Sequence, residues 1–176
     1  SPLTPELVEV YTRNAKKYRE THFEPEVGDD RELSLVPRPW QKEALAELEK
    51  LRERGYSRAL VAVATGMGKT WLAAFDARQV GTKLGRRPRV LVIAHRAHIL
   101  AQAEAALSLV LDSVFGDGHT AWYLANRSEL SGDLVIASVQ KLSRPEGLDR
   151  LAEEHFDYVI MDEVHHVHAP SYRRVL

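Results

Sequence analysis

Two clusters in this 176-residue chain have the residue types and spacing to do chemistry on phosphate groups. The first is Ala64-Thr65-Gly66-Met67-Gly68-Lys69-Thr70. Glycine lets backbone N–H groups turn toward phosphate oxygens where a Cβ would obstruct them. Lys69 has the reach to span β and γ phosphates, and the Thr70 hydroxyl is a hard oxygen ligand that suits Mg²⁺. The second cluster is Phe156-Asp157-Tyr158-Val159-Ile160-Met161-Asp162-Glu163-Val164-His165-His166. It lies about ninety residues beyond the first, and its apolar run ends in two adjacent carboxylates. Asp162 would hold Mg²⁺ through a water, and Glu163 would orient and polarise an attacking water.

Each cluster alone has a plainer reading. A glycine-containing turn can carry a lysine by chance, and two acids after a strand are commonly loop charges. The general phosphate-loop pattern also places a glycine five residues before the Gly-Lys pair, where this chain has Val63. Together the two halves make the plain reading hard to sustain, because nucleotide hydrolysis needs a cradle, a metal-holding acid and a water-orienting acid at once. His165, His166 and His168 raise a transition-metal reading. No His-Glu-x-x-His pattern supports it, and the cluster follows a strand instead of sharing a helix face. His165 is read as a coupling residue.

These groups need elements to hold them. Thr4 and Pro5 open a first helix with Leu7, Val8, Tyr11, Ala15 and Tyr18 at roughly helical spacing. The acidic, irregular stretch from His22 to Val36 reads as a linker, so residues 1–36 form an appendage and 37–176 the main domain. Pro39 to Arg54 reads as an amphipathic helix with Trp40, Ala44, Leu48 and Leu51 on one face. Ala59 to Ala64 reads as a buried parallel strand, followed by a helix from Lys69 through Trp71, Leu72, Phe75, Gln79 and Val80. Val90 to Ala94, Leu134 to Ala137 and Tyr158 to Met161 are further buried strands. A helix through Ile99, Leu100, Ala103, Leu107 and Val110 follows the first of them. Alternating strands and helices predict an α/β fold with a mostly parallel sheet covered on both faces. Ligands in such sheets sit beyond the carboxyl ends of the strands, where both clusters fall.

Bulk composition narrows the classes. The hydrophobic fraction of 44% and charged fraction of 28% are those of an ordinary globular domain. With no cysteine, disulfides and thiolate metal sites are excluded. No apolar run approaches the roughly 18 residues of a membrane span, and the amino terminus lacks a signal-peptide pattern, so the cytoplasm is the expected compartment. The 24 basic residues nearly match the 25 acidic ones, so any nucleic-acid contact must come from local groups or a partner domain.

The chain resembles superfamily 2 helicases of the Asp-Glu-x-His type, a family in which the first glycine of the phosphate loop is often absent. Ala64 to Thr70 is similar to its motif I and Asp162-Glu163-Val164-His165 to its motif II. Arg38-Pro39-Trp40-Gln41 resembles the adenine-reading Q-motif, Ile93-Ala94-His95-Arg96 motif Ia, and Ala137-Ser138-Val139-Gln140-Lys141-Leu142 the next backbone-contacting motif. The segments occur in the family order over residues 38–176. Phe115-Gly116-Asp117 and the run from His165 to Arg174 resemble more narrowly the type-III-restriction-enzyme-like group, and within it bacterial proteins that fuse a phospholipase-D-like nuclease to a helicase.

The resemblance implies a RecA-like ATP-binding lobe of a nucleic-acid-driven ATPase, with DNA as the expected track. It implies ATP and Mg²⁺ as cofactors. Arg38, Gln41, Thr65, Gly66, Met67, Gly68, Lys69 and Thr70 would bind the nucleotide. Lys69, Asp162 and Glu163 would carry catalysis, and Thr70 and Asp162 would hold the metal. His95, Arg96, Ser138, Gln140 and Lys141 would touch the nucleic-acid backbone. A second RecA-like lobe and an upstream nuclease domain are the implied partners. Motif III does not follow the acids before Leu176, so the lobe is expected to be truncated and inactive by itself. The alternatives are another phosphate-loop NTPase and a non-catalytic nucleic-acid-binding module.

Overall fold

Proline at a first helical position and a glycine after the last turn bracket the first described helix, α1 (Pro39–Glu53), as its sequence predicts. The computed structural model describes residues 35–64, 66–124 and 126–162, without the side chains of 97 and 98. The predicted helix from Thr4, nearly all of the linker, Thr65, Glu163 and His165 lie outside the described residues. The chain divides into two units, Ser1–Leu72 and Ala73–Leu176.

In the first unit, Arg38 precedes Pro39 and is held extended (φ −64°, ψ 160°), because the proline ring disfavours helical backbone before it. At the far end Gly55 takes φ 85°. The Gly55 N–H donates to Arg52 O (2.9 Å) and the Tyr56 N–H to Leu51 O (3.0 Å), closing the helix with a left-handed glycine cap. The buried stripe of α1 is Gln41, Leu45 and Leu48. The expected stripe, Trp40, Ala44, Leu48 and Leu51, is rotated by about one residue, because the Gln41 amide is drawn inward by hydrogen bonds that hydrophobicity does not register.

Residues 56–64 differ from expectation. The apolar run Ala59 to Ala64 forms no ladder among the described residues and is half-buried to exposed. Backbone pairing, not apolarity, makes a strand, and this run has no paired neighbour among the described residues. The helix after it, α2 (Lys69–Leu84), starts at the predicted residue.

The second unit holds β1 (Val90–Ala94), α3 (Ala97–Phe115), β2 (Thr120–Leu124), β3 (Arg127–Ser128), β4 (Leu134–Ser138), α4 (Val139–Leu142), α5 (Pro145–Ala152) and β5 (Tyr158–Met161). The sheet order is β3-β2-β4-β1-β5. All pairs are parallel except β2 with β3. Strands β1 and β4 lie at the centre, so their near-continuous Val, Leu, Ile and Ala runs are buried on both faces. Helix α3 packs across both with Leu100, Ala103, Leu107, Val110 and Leu111 buried. Strand β2 alternates, with Ala121 and Tyr123 inward.

The amino ends of the strands are tied by Arg89. Its guanidinium donates to Gly132 O (2.9 Å), Leu130 O (2.8 Å) and His155 O (3.1 Å), pairs with Glu154 (2.6 Å) and lies over the Phe156 ring. Beside it Asp157 accepts two hydrogen bonds from Arg86 (2.8 Å each) and one from the Arg89 N–H (2.7 Å). The Arg86 hydrogen bond holds the Asp157 carboxyl below the usual carboxylate range, against the upward push of burial. A depressed carboxylate stabilises the fold above its unfolded pKa, and that contribution is lost as pH falls through the depressed folded value. Denaturant unfolding of the wild type and Asp157→Asn should therefore differ near neutral pH, and the difference should close below about pH 4. A constant difference down to the acid limit would rule this out.

Candidate nucleotide and nucleic-acid site

The cradle stands in the first unit. Gly66 and Gly68 take φ 82° and 85°, a backbone conformation that L side chains rarely adopt. Between them the Met67 N–H closes a turn onto Ala64 O (3.3 Å). Gly68 O then accepts from the Leu72 N–H (3.1 Å), the first hydrogen bond of α2. The positive dipole end of α2 is directed at this point. Lys69 is exposed there and Thr70 is half-buried one residue on.

Gln41 is built into this cradle. It is 2% exposed. Its Oε1 accepts from the Arg38 N–H (2.8 Å), and its Nε2 donates to Gly68 O (3.1 Å). Gly68 O thus receives two hydrogen bonds, and one amide bridges the start of α1 to the start of α2. The family resemblance implies that Gln41 meets the adenine edge. In the structure its amide braces the loop, and the Arg38 side chain is exposed beside it.

The second unit carries the remaining residues on one rim. The ladder register puts Ser128, Tyr123, Ala137, Ile93 and Met161 level across all five strands. One residue nearer the carboxyl ends lie Arg127, Leu124, Ser138, Ala94 and Asp162. The Asp162 N–H continues the ladder onto Ile93 O (3.0 Å). His95 follows β1, and Gln140 and Lys141 lie on α4 directly after β4. The Gln140 Nε2 lies 2.6 Å from His95 Nδ1 and donates to His95 O (3.2 Å). Sequence positions 45 residues apart are thereby joined at the strand ends. Arg96 is exposed at the start of α3 and Ser138 ends β4.

Lys141 is less available than the sequence suggests. Its ammonium donates to Arg127 O (2.6 Å) and Ser128 Oγ (2.7 Å) and sits 4.7 Å over the Tyr123 ring. The β2–β3 hairpin that receives it is not among the expected strands. The alternation of Thr120-Ala121-Trp122-Tyr123-Leu124 is the signal that marks it.

Known proteins share this chain's sequence family and fold. The family described as "Type III restriction enzyme, res subunit" matches residues 34–176. The chain is similar to the putative mitochondrial ATP-dependent helicase irc3 of Schizosaccharomyces pombe, with 32% identity over 149 residues, 83% of this chain and 23% of that protein. It is also similar to the putative ATP-dependent helicase IRC3 of Saccharomyces cerevisiae, with 28% identity over 145 residues, 80% of this chain and 20% of that protein. The chain therefore spans between a fifth and a quarter of the length of these curated relatives. Among solved structures, the SWI2/SNF2 ATPase core of Sulfolobus solfataricus in complex with dsDNA superposes with a TM-score of 0.60 at 20% identity, covering 78% of this chain and 28% of that one. That likeness bears out the α/β fold with its mostly parallel sheet. No helix among the described residues is long and apolar enough to cross a membrane.

Proposed function

This chain belongs to the family of the type III restriction enzyme res subunit, and on that premise we propose that it is the ATP-binding lobe of a nucleic-acid-dependent ATPase that tracks along DNA. The observation that carries the reading is the start of α2, where two left-handed glycines open a helix amino end beside an exposed lysine. Such a site binds polyphosphate through backbone N–H groups and a positive dipole end. Lys69 reaches the β and γ phosphates. The Thr70 hydroxyl and the Asp162 carboxylate are hard oxygen donors, the chemistry that Mg²⁺ prefers, and they are the residues that would hold it. When bound, the ion neutralises charge on the transferred phosphoryl group. Glu163 orients and polarises the attacking water. His165 links that chemistry to the nucleic acid, and His95, Arg96, Ser138 and Gln140 line the rim on which the backbone lies. A second RecA-like lobe supplies the cationic clamp and the closing motion that drive steps along the track.

The full-length protein is the right test object. Its ATP turnover should rise on adding single-stranded or duplex DNA and be lost in Glu163→Gln. Turnover indifferent to nucleic acid would point to another class of phosphate-loop enzyme. No turnover with intact DNA binding would point to a non-catalytic module.

A further inference from the structure

We propose that the DNA-backbone track does not end at α4 but runs on to the β2–β3 hairpin, where Arg127 and Arg150 bind phosphates and Lys141 positions them. The inference rests on the proposed function above and adds residues to its binding surface. Three basic residues from three elements converge on this corner. The Arg127 guanidinium lies 5.7 Å over the Trp122 ring, and that of Arg150 lies 5.3 Å over the Tyr123 ring, on which Lys141 also sits. Aromatic faces attract cations, so the rings hold the side chains in place before any ligand arrives. Tyr123 itself is buried, so it orients the cations and does not stack on bases.

The donor inventory separates the roles. Lys141 gives at least two of its three N–H groups to Arg127 O and Ser128 Oγ. Arg150 spends one of five on Ser128 O (2.8 Å). The Arg127 side chain donates to none of the described residues, and both arginines are exposed. Neither arginine forms an ion pair with an acid among the described residues. Glu129 lies 2.9 Å from His119, and Arg150 turns to Ser128 O instead of to Glu146 one helical turn before it. Asp149 adds one exposed carboxylate on α5. Guanidinium forks with unused donors in a fixed orientation are suited to phosphodiester oxygens.

The corner is also continuous with the rim. Arg127 is level with Ser138, Ala94 and Asp162 in the row set by the ladder register. Four ladder steps of about 4.8 Å make that row about 19 Å long. At about 3.4 Å per nucleotide along one strand, that is room for about five nucleotides. Without Arg127 and Arg150, the rim's far end would rest on Lys141, whose ammonium already donates to the hairpin's Arg127 O and Ser128 Oγ.

The test is the salt dependence of binding of the full-length protein to fluorescein-labelled oligo(dT) and to a mixed-sequence duplex. Each phosphate contact contributes about 0.7 to 0.9 to the slope of log affinity against log salt. Arg127→Ala with Arg150→Ala should lower that slope by about 1.5 on at least one probe and weaken binding about 10-fold or more at moderate salt. Arg127→Lys with Arg150→Lys should retain most of the slope, because the charge remains, which a purely structural role would not explain. Lys141→Met should lower affinity with a change of slope smaller than the double alanine variant shows. An unchanged slope in the double alanine variant on both probes would overturn the inference. Absence of DNA binding by the wild type would instead overturn the function it rests on.

Discussion

Lys69→Ala should lower the DNA-stimulated ATP turnover of the full-length protein by about 10²- to 10³-fold, the usual cost of removing one preorganised donor from a charge-developing transition state. Lys69 is the first residue of α2 and is exposed beside the cradle. Its ammonium can follow the γ-phosphate as negative charge redistributes during transfer, which a backbone N–H cannot do. The fold should be unaffected, since alanine is a better helix former than lysine and no buried packing is lost. The informative measurement is therefore turnover together with thermal unfolding of the same variant. A fall in turnover with an unchanged melting temperature supports the assignment. Wild-type turnover in Lys69→Ala would move the nucleotide site away from the start of α2.

Gly68→Ala should be the most damaging change in the cradle that leaves every charge in place. Two costs coincide at this position. The backbone has φ 85°, which costs a residue with a Cβ about 1–2 kcal/mol. The added Cβ would also stand 3.2 Å from Gln41 Nε2, the nitrogen that donates to Gly68 O. Relief requires either the loop or the brace to move, and both lie where the phosphates would bind. ATP affinity should fall by about 10- to 100-fold, on the basis that the backbone cost alone is roughly one factor of ten. Gly66 is the control, since its φ is 82° but a Cβ there meets nothing within 4 Å. Titration calorimetry with a non-hydrolysable ATP analogue should rank wild type above Gly66→Ala, and Gly66→Ala above Gly68→Ala. Equal affinities for the two variants would mean that the Gln41 brace has no part in shaping the loop.

The Lys69 expectation depends on local sequence, and local sequence is what a single chain conveys well. A Gly-Lys-Thr turn opens a helix because glycine permits the left-handed bend and the helix amino end follows directly. Strands β1, β4 and β5 were legible because a buried parallel strand must be apolar throughout, and Val90 to Ala94, Leu134 to Ala137 and Tyr158 to Met161 are. The order of the motifs along the chain carried the family, which the match over residues 34–176 bears out.

Pairing and polar bridging were not legible. An apolar run at Ala59 to Ala64 has strand composition, yet strand structure requires a neighbour's hydrogen bonds, which composition does not supply. The β2–β3 hairpin was missed for the converse reason, because its second strand is only two polar residues long and is defined by its partner. Gln41 illustrates the same limit within the site. The family resemblance implies a ligand-reading amide there, and a hydrogen bond to a carbonyl 27 residues away also makes it a brace of the loop. Lys141 suggested a direct phosphate contact, and the carbonyl and hydroxyl of the hairpin engage its donors. The sequence by itself determined the glycine-opened start of α2 and the parallel α/β frame, because each follows from residue type and short-range spacing. Only the tertiary structure decided which polar side chains are already engaged and which still face outward, because hydrogen bonds between distant segments exist only once the sheet has brought them together.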